Sequence, residues 1–322
     1  MITNFSGSFK DRDFDKKSKA ELEEFFNIDF INQDPDEVQL YFQNLNQLAY
    51  QTVGVAHCMI HNQAAHNTIR LAHNYTNLDC YKRTYSNHIG AFSFIKSEDI
   101  VLDGTRIIGS RRWISQLHVA DFVILRIRDT QDQKRWVFID LEKAPQKITH
   151  IRNQIIGMRA ARAGDIEIDI DLPPEWILDR HVPAEQLHRV LSFHTYGLIT
   201  NYAANARALL DLGIETAKNQ NFEVDYNIKN LDLQVRMLES LQFTNINSAI
   251  GIIDERERQI QKTQYEFSKK TLIDIIHFFL QISNSSMFDP DSMETQPLRD
   301  ALVFSSHIAN LYKNLTWGNM TF

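Results

Sequence analysis

The chain has 322 residues, 43% hydrophobic and 23% charged, enough for a sizeable core and for two or three domains. A formal net charge of −7, with Arg and Lys scattered rather than massed, excludes the electrostatic footprint of a nucleic-acid partner. Only Cys58 and Cys80 occur, which excludes a disulfide framework and suits a reducing compartment. The opening stretch MITNFSGSFKDRDFDKKSK is polar, is expected to fray, and lacks the apolar run of a secretory signal. From Lys19 to about Thr76 the pattern is helical, with a start signal at Asp34-Pro35 and apolar or small residues at three- and four-residue spacing thereafter.

Near Gly90 the texture changes. GAFSFI, DIVLDGTRII, WISQLHVADFVILRIRD, KRWVFIDLE, KITHI and GDIEIDIDL are short, rich in β-branched and aromatic residues, and bounded by Gly, Asp or Lys. They predict six or so antiparallel strands, closed into a barrel or sandwich, with DTQDQKR as a hairpin turn and IEIDIDL as the clearest two-residue alternation. From Pro183 the chain is helical again in four blocks: 183–220, 227–261, 266–286 and 296–315. The longest apolar run, TLIDIIHFFLQI, is about 12 residues, carries Asp274 and His277, and is too short to span a bilayer. The expected fold class is therefore α+β and multidomain: N-terminal helices over 1–88, an antiparallel β domain over 89–182, and a C-terminal four-helix bundle over 183–322. A cytoplasmic protein without a membrane partner is expected.

Three motifs stand in that frame. Gly109-Ser-Arg111-Arg-Trp113-Ile114-Ser115, followed by Ala120-Asp121, resembles the G-x-K-x-W-I-[ST]…A-D strand of the acyl-CoA dehydrogenase family. Gly157-Met-Arg159-Ala-Ala-Arg162-Ala-Gly164-Asp165, then a strand and Pro-Pro-Glu175, resembles its G-M-R-A-T-x-S-x-D-V and closing P-x-E. QPLRDALVFSSH resembles the Arg-Asp…His signature of the related two-component flavin monooxygenases. The resemblance covers about residues 40–322. It implies FAD, or reduced FMN, as cofactor, with Trp113 against the isoalloxazine ring, Ile114 and Ser115 beside it, and Ser115 and nearby backbone N–H groups on the flavin's N5 and carbonyl oxygens. Arg111 corresponds to a position that could meet phosphate, and Phe222 to the Phe of the R-x-x-F-G segment. His307 corresponds to the monooxygenase histidine and is the candidate catalytic residue. The resemblance further implies an acyl-CoA or an aromatic or apolar small-molecule substrate, and a homodimer or homotetramer.

The chain departs from the family pattern at several places. No T-E-P-x-x-G-S-D loop follows the first strand, Asn219 and Glu223 replace the Arg and Gly of R-x-x-F-G, and no Y-E-G-T supplies a glutamate base. A carboxylate beside a pyrophosphate sets like charge against like. Two readings stay open: a flavin-dependent oxidoreductase, either dehydrogenase or monooxygenase, and a degenerate member that binds little or no flavin and serves as a partner or small-molecule binding protein. HCMIHNQAAHNTIRLAH places His57 and His61 on one helical face and His66 and His73 roughly opposite, so at most two converge and no metal site is expected. DERERQIQK reads as a solvated helix face. No nucleophile elbow accompanies Ser192 and His194, and no Walker or Rossmann glycine pattern occurs.

Overall fold

A start signal in the sequence becomes a physical cap at α2 (Pro35–Gln51): the Asp34 carboxylate accepts the Asp36 N–H, Pro35 fills the first helical position, and Asp36 and Glu37 face the positive end of the helix. The computed structural model describes residues 14–26, 28, 34–76, 88–93, 100–144, 147–151, 159–220, 226–244, 255–282 and 296–306. α1 (Lys16–Phe26) precedes α2, and α3 (Val53–Thr76) follows it after one extended residue, Thr52, so the helical stretch expected as one run bends there. Val38, Tyr41, Phe42, Leu45, Leu48 and Ala49 are the buried stripe of α2, spaced as one helix face requires.

Among the described residues seven strands follow: β1 (Gly90–Ser93), β2 (Ile100–Asp103), β3 (Arg106–Ile114), β4 (Phe122–Asp129), β5 (Lys134–Asp140), β6 (Lys147–Ile151) and β7 (Gly164–Asp171). They form one sheet in the order β1-β4-β2-β3-β7-β6, with β5 also on β4. The sheet is mixed rather than wholly antiparallel. β1 runs parallel to β4 along Phe122–Leu125, and β2 runs parallel to it at Arg128–Asp129, so the two lie end to end on the same strand. The order does not return on itself, so the described strands make an open sheet and not a closed barrel. DIVLDGTRII is two strands, turned by Gly104 in the left-handed region (φ +64). The DTQDQKR turn forms as expected: Asp129 accepts the N–H groups of Gln131 and Gln133 while β4 and β5 pair antiparallel. IEIDIDL keeps its alternation, with Ile166 and Ile168 buried and Glu167 and Asp169 exposed.

The helices α4 (Ala184–Asn219), α5 (Tyr226–Thr244), α6 (Glu255–Ile282) and α7 (Gln296–Ser306) complete the described residues. The expected second and third helical blocks divide elsewhere: ERERQIQ opens the same helix that EFSKKTLIDIIHFFLQI continues. Neither Gly nor Pro lies between Glu255 and Ile282, and the buried positions Gln264, Ser268, Thr271, Ile275, Phe279 and Ile282 run on at helical spacing. Arg207 of α4 ties α5 down through Asp232 and Glu239, both at 2.8 Å. Helices and sheet share one apolar cluster in which Phe42, Phe122 and Phe193 are all buried. Two glycines allow the close approaches: a Cβ at Gly90 would stand 2.5 Å from Phe122 and 2.7 Å from Ala65, and one at Gly197 would stand 2.8 Å from Ile60.

Candidate functional site

β3 ends irregularly, and that irregularity aims its last side chains. Its pairing with β7 runs regularly from Arg106↔Asp171 to Arg111↔Ile166, then slips to Ile114↔Gly164, which leaves one extra residue on β3. Trp113 takes up the slip with φ +61, a left-handed backbone that costs a bulky residue about 1–2 kcal/mol. The buried Asp165 carboxylate accepts the Trp113 N–H at 3.0 Å and holds this conformation. The indole is left 38% exposed at the sheet rim, while Ile114 beside it is fully in the core. WISQLHVADFVILRIRD is thus not one strand: Trp113 and Ile114 close β3, residues 115–121 turn, and β4 opens at Phe122.

That turn is built from the motif residues themselves. Gln116 has φ +54; its backbone N–H meets the Ala161 carbonyl at 2.6 Å and its side-chain amide donates to the Gly90 carbonyl. His118 donates from Nδ1 to the Arg162 carbonyl at 3.3 Å and accepts from the Arg162 guanidinium at Nε2, at 2.9 Å. Asp121 accepts the Ile89 N–H at 2.6 Å and pairs with Lys16 Nζ at 2.8 Å. The Ala-Asp of the first motif is therefore a clamp on the start of β1 and on α1. Through Gln116, His118 and Trp113, each bonded to a residue 44 to 52 positions further along the chain, the first two motifs lock together in space.

Ser115 is buried, and its Oγ lies 3.1 Å from His57 Nε2 on α3. The His57 and His61 rings are 4.3 Å apart, as their shared helix face predicts. His61 donates from Nδ1 to the Phe92 carbonyl of β1 at 2.7 Å. His194 of α4 then stands edge-on to His61 at 4.7 Å and 5.3 Å from Phe92. Burial first, and the neighbouring His61 second, hold His194 well below the ordinary imidazole range, so it is neutral at pH 7. His66, on the other face of α3, donates to the His88 carbonyl at 2.9 Å and packs edge-on against Phe122. No three His, Cys, Asp or Glu side chains converge on a metal position among the described residues.

The expected site residues are distributed as follows. Trp113, Ile114 and Ser115 are brought together at the end of β3. Arg111, two residues earlier, is half-buried and donates from Nε to Ser93 Oγ at the end of β1, at 3.1 Å. Phe222 and His307 lie outside the described residues, as does Glu223; Asn219 is the exposed last residue of α4. In α7 the Arg299-Asp300 pair of the third motif is buried. Sequence reasoning missed the Ser115–His57 contact and the place of His194, because the partners come from three elements separated by 58 and more residues.

No protein-family model matches the sequence, and no curated protein sequence matches it. Solved structures do. A glutaryl-CoA dehydrogenase from Mycobacterium smegmatis, in complex with FADH2, aligns with a TM-score of 0.64 at 15% identity over 95% of this chain and 88% of that one. The fold is acyl-CoA dehydrogenase-like. Butyryl-CoA dehydrogenase from Megasphaera elsdenii aligns with a TM-score of 0.61 at 13% identity, over 83% of this chain and 77% of the other. The HsaA monooxygenase from M. tuberculosis aligns at 0.63 and 12%, over 92% and 90%. The acyl-CoA dehydrogenase-like fold thus embraces dehydrogenases and monooxygenases alike, and within it Trp113 is part-exposed whereas the Ser115 hydroxyl is turned inward onto His57. For a flavin, the part-exposed Trp113 is available as a wall, whereas the buried Ser115 hydroxyl is engaged by His57.

Proposed function

We propose that the chain is a flavin-dependent oxidoreductase that takes FAD, or reduced FMN, against Trp113 and acts on an acyl thioester or a similar apolar substrate. The observation that carries this reading is the Trp113 indole, exposed at the sheet rim by a left-handed backbone that Asp165 holds in place. Strain of this kind persists where the surrounding structure over-determines it, and it gathers at ligand sites. When bound, the flavin supplies the two-electron chemistry of hydride transfer or of oxygen activation.

The chain's own residues do the rest. Trp113 presents a flat apolar wall. Ile114 anchors that wall in the core, and Asp165 fixes its angle. Ser115 Oγ and His57 Nε2 share one proton, so the hydroxyl can offer a donor to a polar ring edge while the imidazole holds it by its acceptor. Neutral His194 behind them keeps a full positive charge out of this buried line. His307 and Phe222 belong to the proposal on the strength of the sequence motifs, as proton donor and cofactor contact. A homodimer or homotetramer belongs to it on the same ground.

A second reading has its own observation. The Ser115 hydroxyl is already engaged inside the protein, which suits a relative that has given up flavin and kept the scaffold for binding. Absorption of the purified chain after gel filtration separates the two. A flavin band carried by the protein, or restored by added FAD or reduced FMN, supports the oxidoreductase. A colourless protein that ignores both supports the binding protein. With flavin bound, anaerobic bleaching by an acyl-CoA selects dehydrogenation, and product formed only with a reductase and oxygen selects monooxygenation.

A further inference from the structure

A second feature of the molecule uses none of the Trp113 residues. Between β4 and β5 on one side and the first turns of α4 and α6 on the other lies a cleft of about 320 Å³, within the lower range of small-ligand sites. Arg126 of β4, Lys134 of β5, His188 and Arg189 of α4 and Arg258 of α6 line it, and Glu185 is the one carboxylate among its described lining residues. This concentration of cations stands on a chain whose net charge is −7, so it is not the background of a basic protein.

Arg126 is the centre of it. Its guanidinium lies over the Trp136 ring at 5.9 Å, and its Nε is buried without a hydrogen-bond partner among the described residues. Burial pulls its pKa down, as expected of a cation that lacks a counter-charge. His188 feels the same surroundings: after burial, the causes that depress it are Arg126, Arg258 and Lys134. Gln261 braces the wall, donating to the Ser192 carbonyl at 3.0 Å and to its hydroxyl at 3.1 Å. Four permanent cations line this half-enclosed space, with Arg258 3.7 Å from Glu255 at its outer edge, and an anion with several acceptor oxygens relieves the repulsion among them. His188, Ser192 and Thr195 belong to the α4 face on this cleft, whereas His194 faces Phe92 and His61, so the cleft and the indole wall are separate sites.

We propose that this cleft binds the diphosphate group of a small molecule, with Arg126 and Arg258 as its principal contacts. The inference does not depend on flavin chemistry at Trp113. Calorimetric titration of the full chain with inorganic pyrophosphate tests it. One-to-one binding is expected, about tenfold weaker in Arg126→Gln and in Arg258→Ala, as loss of one charge-assisted contact implies. Arg106→Ala, which removes an exposed arginine paired with Asp169 on β3, should bind pyrophosphate as the parent does. Circular dichroism of each variant establishes that it is folded, and Arg258, on a half-exposed helix turn, covers the case in which Arg126→Gln does not fold. Displacement by FAD or by CoA assigns the diphosphate to that carrier, and binding that neither displaces assigns it to a free diphosphate; both support the site. No heat from pyrophosphate, or equal weakening by Arg106→Ala, overturns it.

Discussion

Trp113 carries most of the functional argument, and its backbone is where that argument meets stability. Asp165 supplies the acceptor for its N–H from a buried position. Asp165→Ala should therefore lower stability by about 1–3 kcal/mol in urea unfolding, and should also free the indole, seen as a red-shifted tryptophan emission. The buried histidines add a pH dependence. His66 is pushed down to about 3, by burial first and the Lys19 charge second, and His194 is likewise depressed. Below pH 6.5 the unfolded chain takes up protons that the folded chain refuses. Stability is then complete above pH 6.5 and falls as pH drops toward 3, at up to about 1.4 kcal/mol per pH unit for each histidine. Unfolding midpoints should decline steadily between pH 6.5 and 4, and His66→Gln should make that slope shallower. A slope unchanged by the substitution would assign the loss to other groups.

At the level of elements, what could be read locally was read. The Asp34-Pro35 start, the DTQDQKR turn and the alternation of IEIDIDL are each fixed by a few neighbouring residues. The misread elements depend on distant partners. β1 lies parallel to β4 where Gly90 seats against Phe122 and Ala65, β2 lies parallel to it at Arg128–Asp129, and no local pattern announces either neighbour. The strand over WISQLHVADFVIL breaks because Gln116 is claimed by Ala161 and Gly90. Gly90→Ala tests the close approach: its Cβ would overlap Phe122 and Ala65, and a loss of about 1–3 kcal/mol is expected from overpacking. Gly197→Ala, facing Ile60 across the contact between α3 and α4, should behave similarly.

Over the whole molecule, the order of helices, sheet and helices was legible, and so was the fold, because two motifs that the sequence holds apart are bonded to each other through Gln116, His118 and Trp113. The interior of the site was not legible, since Ser115, His57 and His194 come from a turn and two helices. Nor was the basic cleft, whose cations come from four elements. No described helix is long and apolar enough to cross a membrane. Leu233 and Met237, one turn apart on α5, remain 56% and 48% exposed and form an apolar strip that a paired bundle would cover. If the chain forms the proposed homo-oligomer through that strip, Leu233→Asp should shift its sedimentation toward the monomer.

The central claim is that the Trp113 indole is one wall of a flavin site. Absorption spectra of the parent and of Trp113→Ala, each incubated with FAD and passed through gel filtration, test it most directly. A flavin band that travels with the parent and binds about tenfold more weakly in the variant is the predicted result. A parent that elutes colourless, with tryptophan fluorescence unmoved by FAD or reduced FMN, would contradict it.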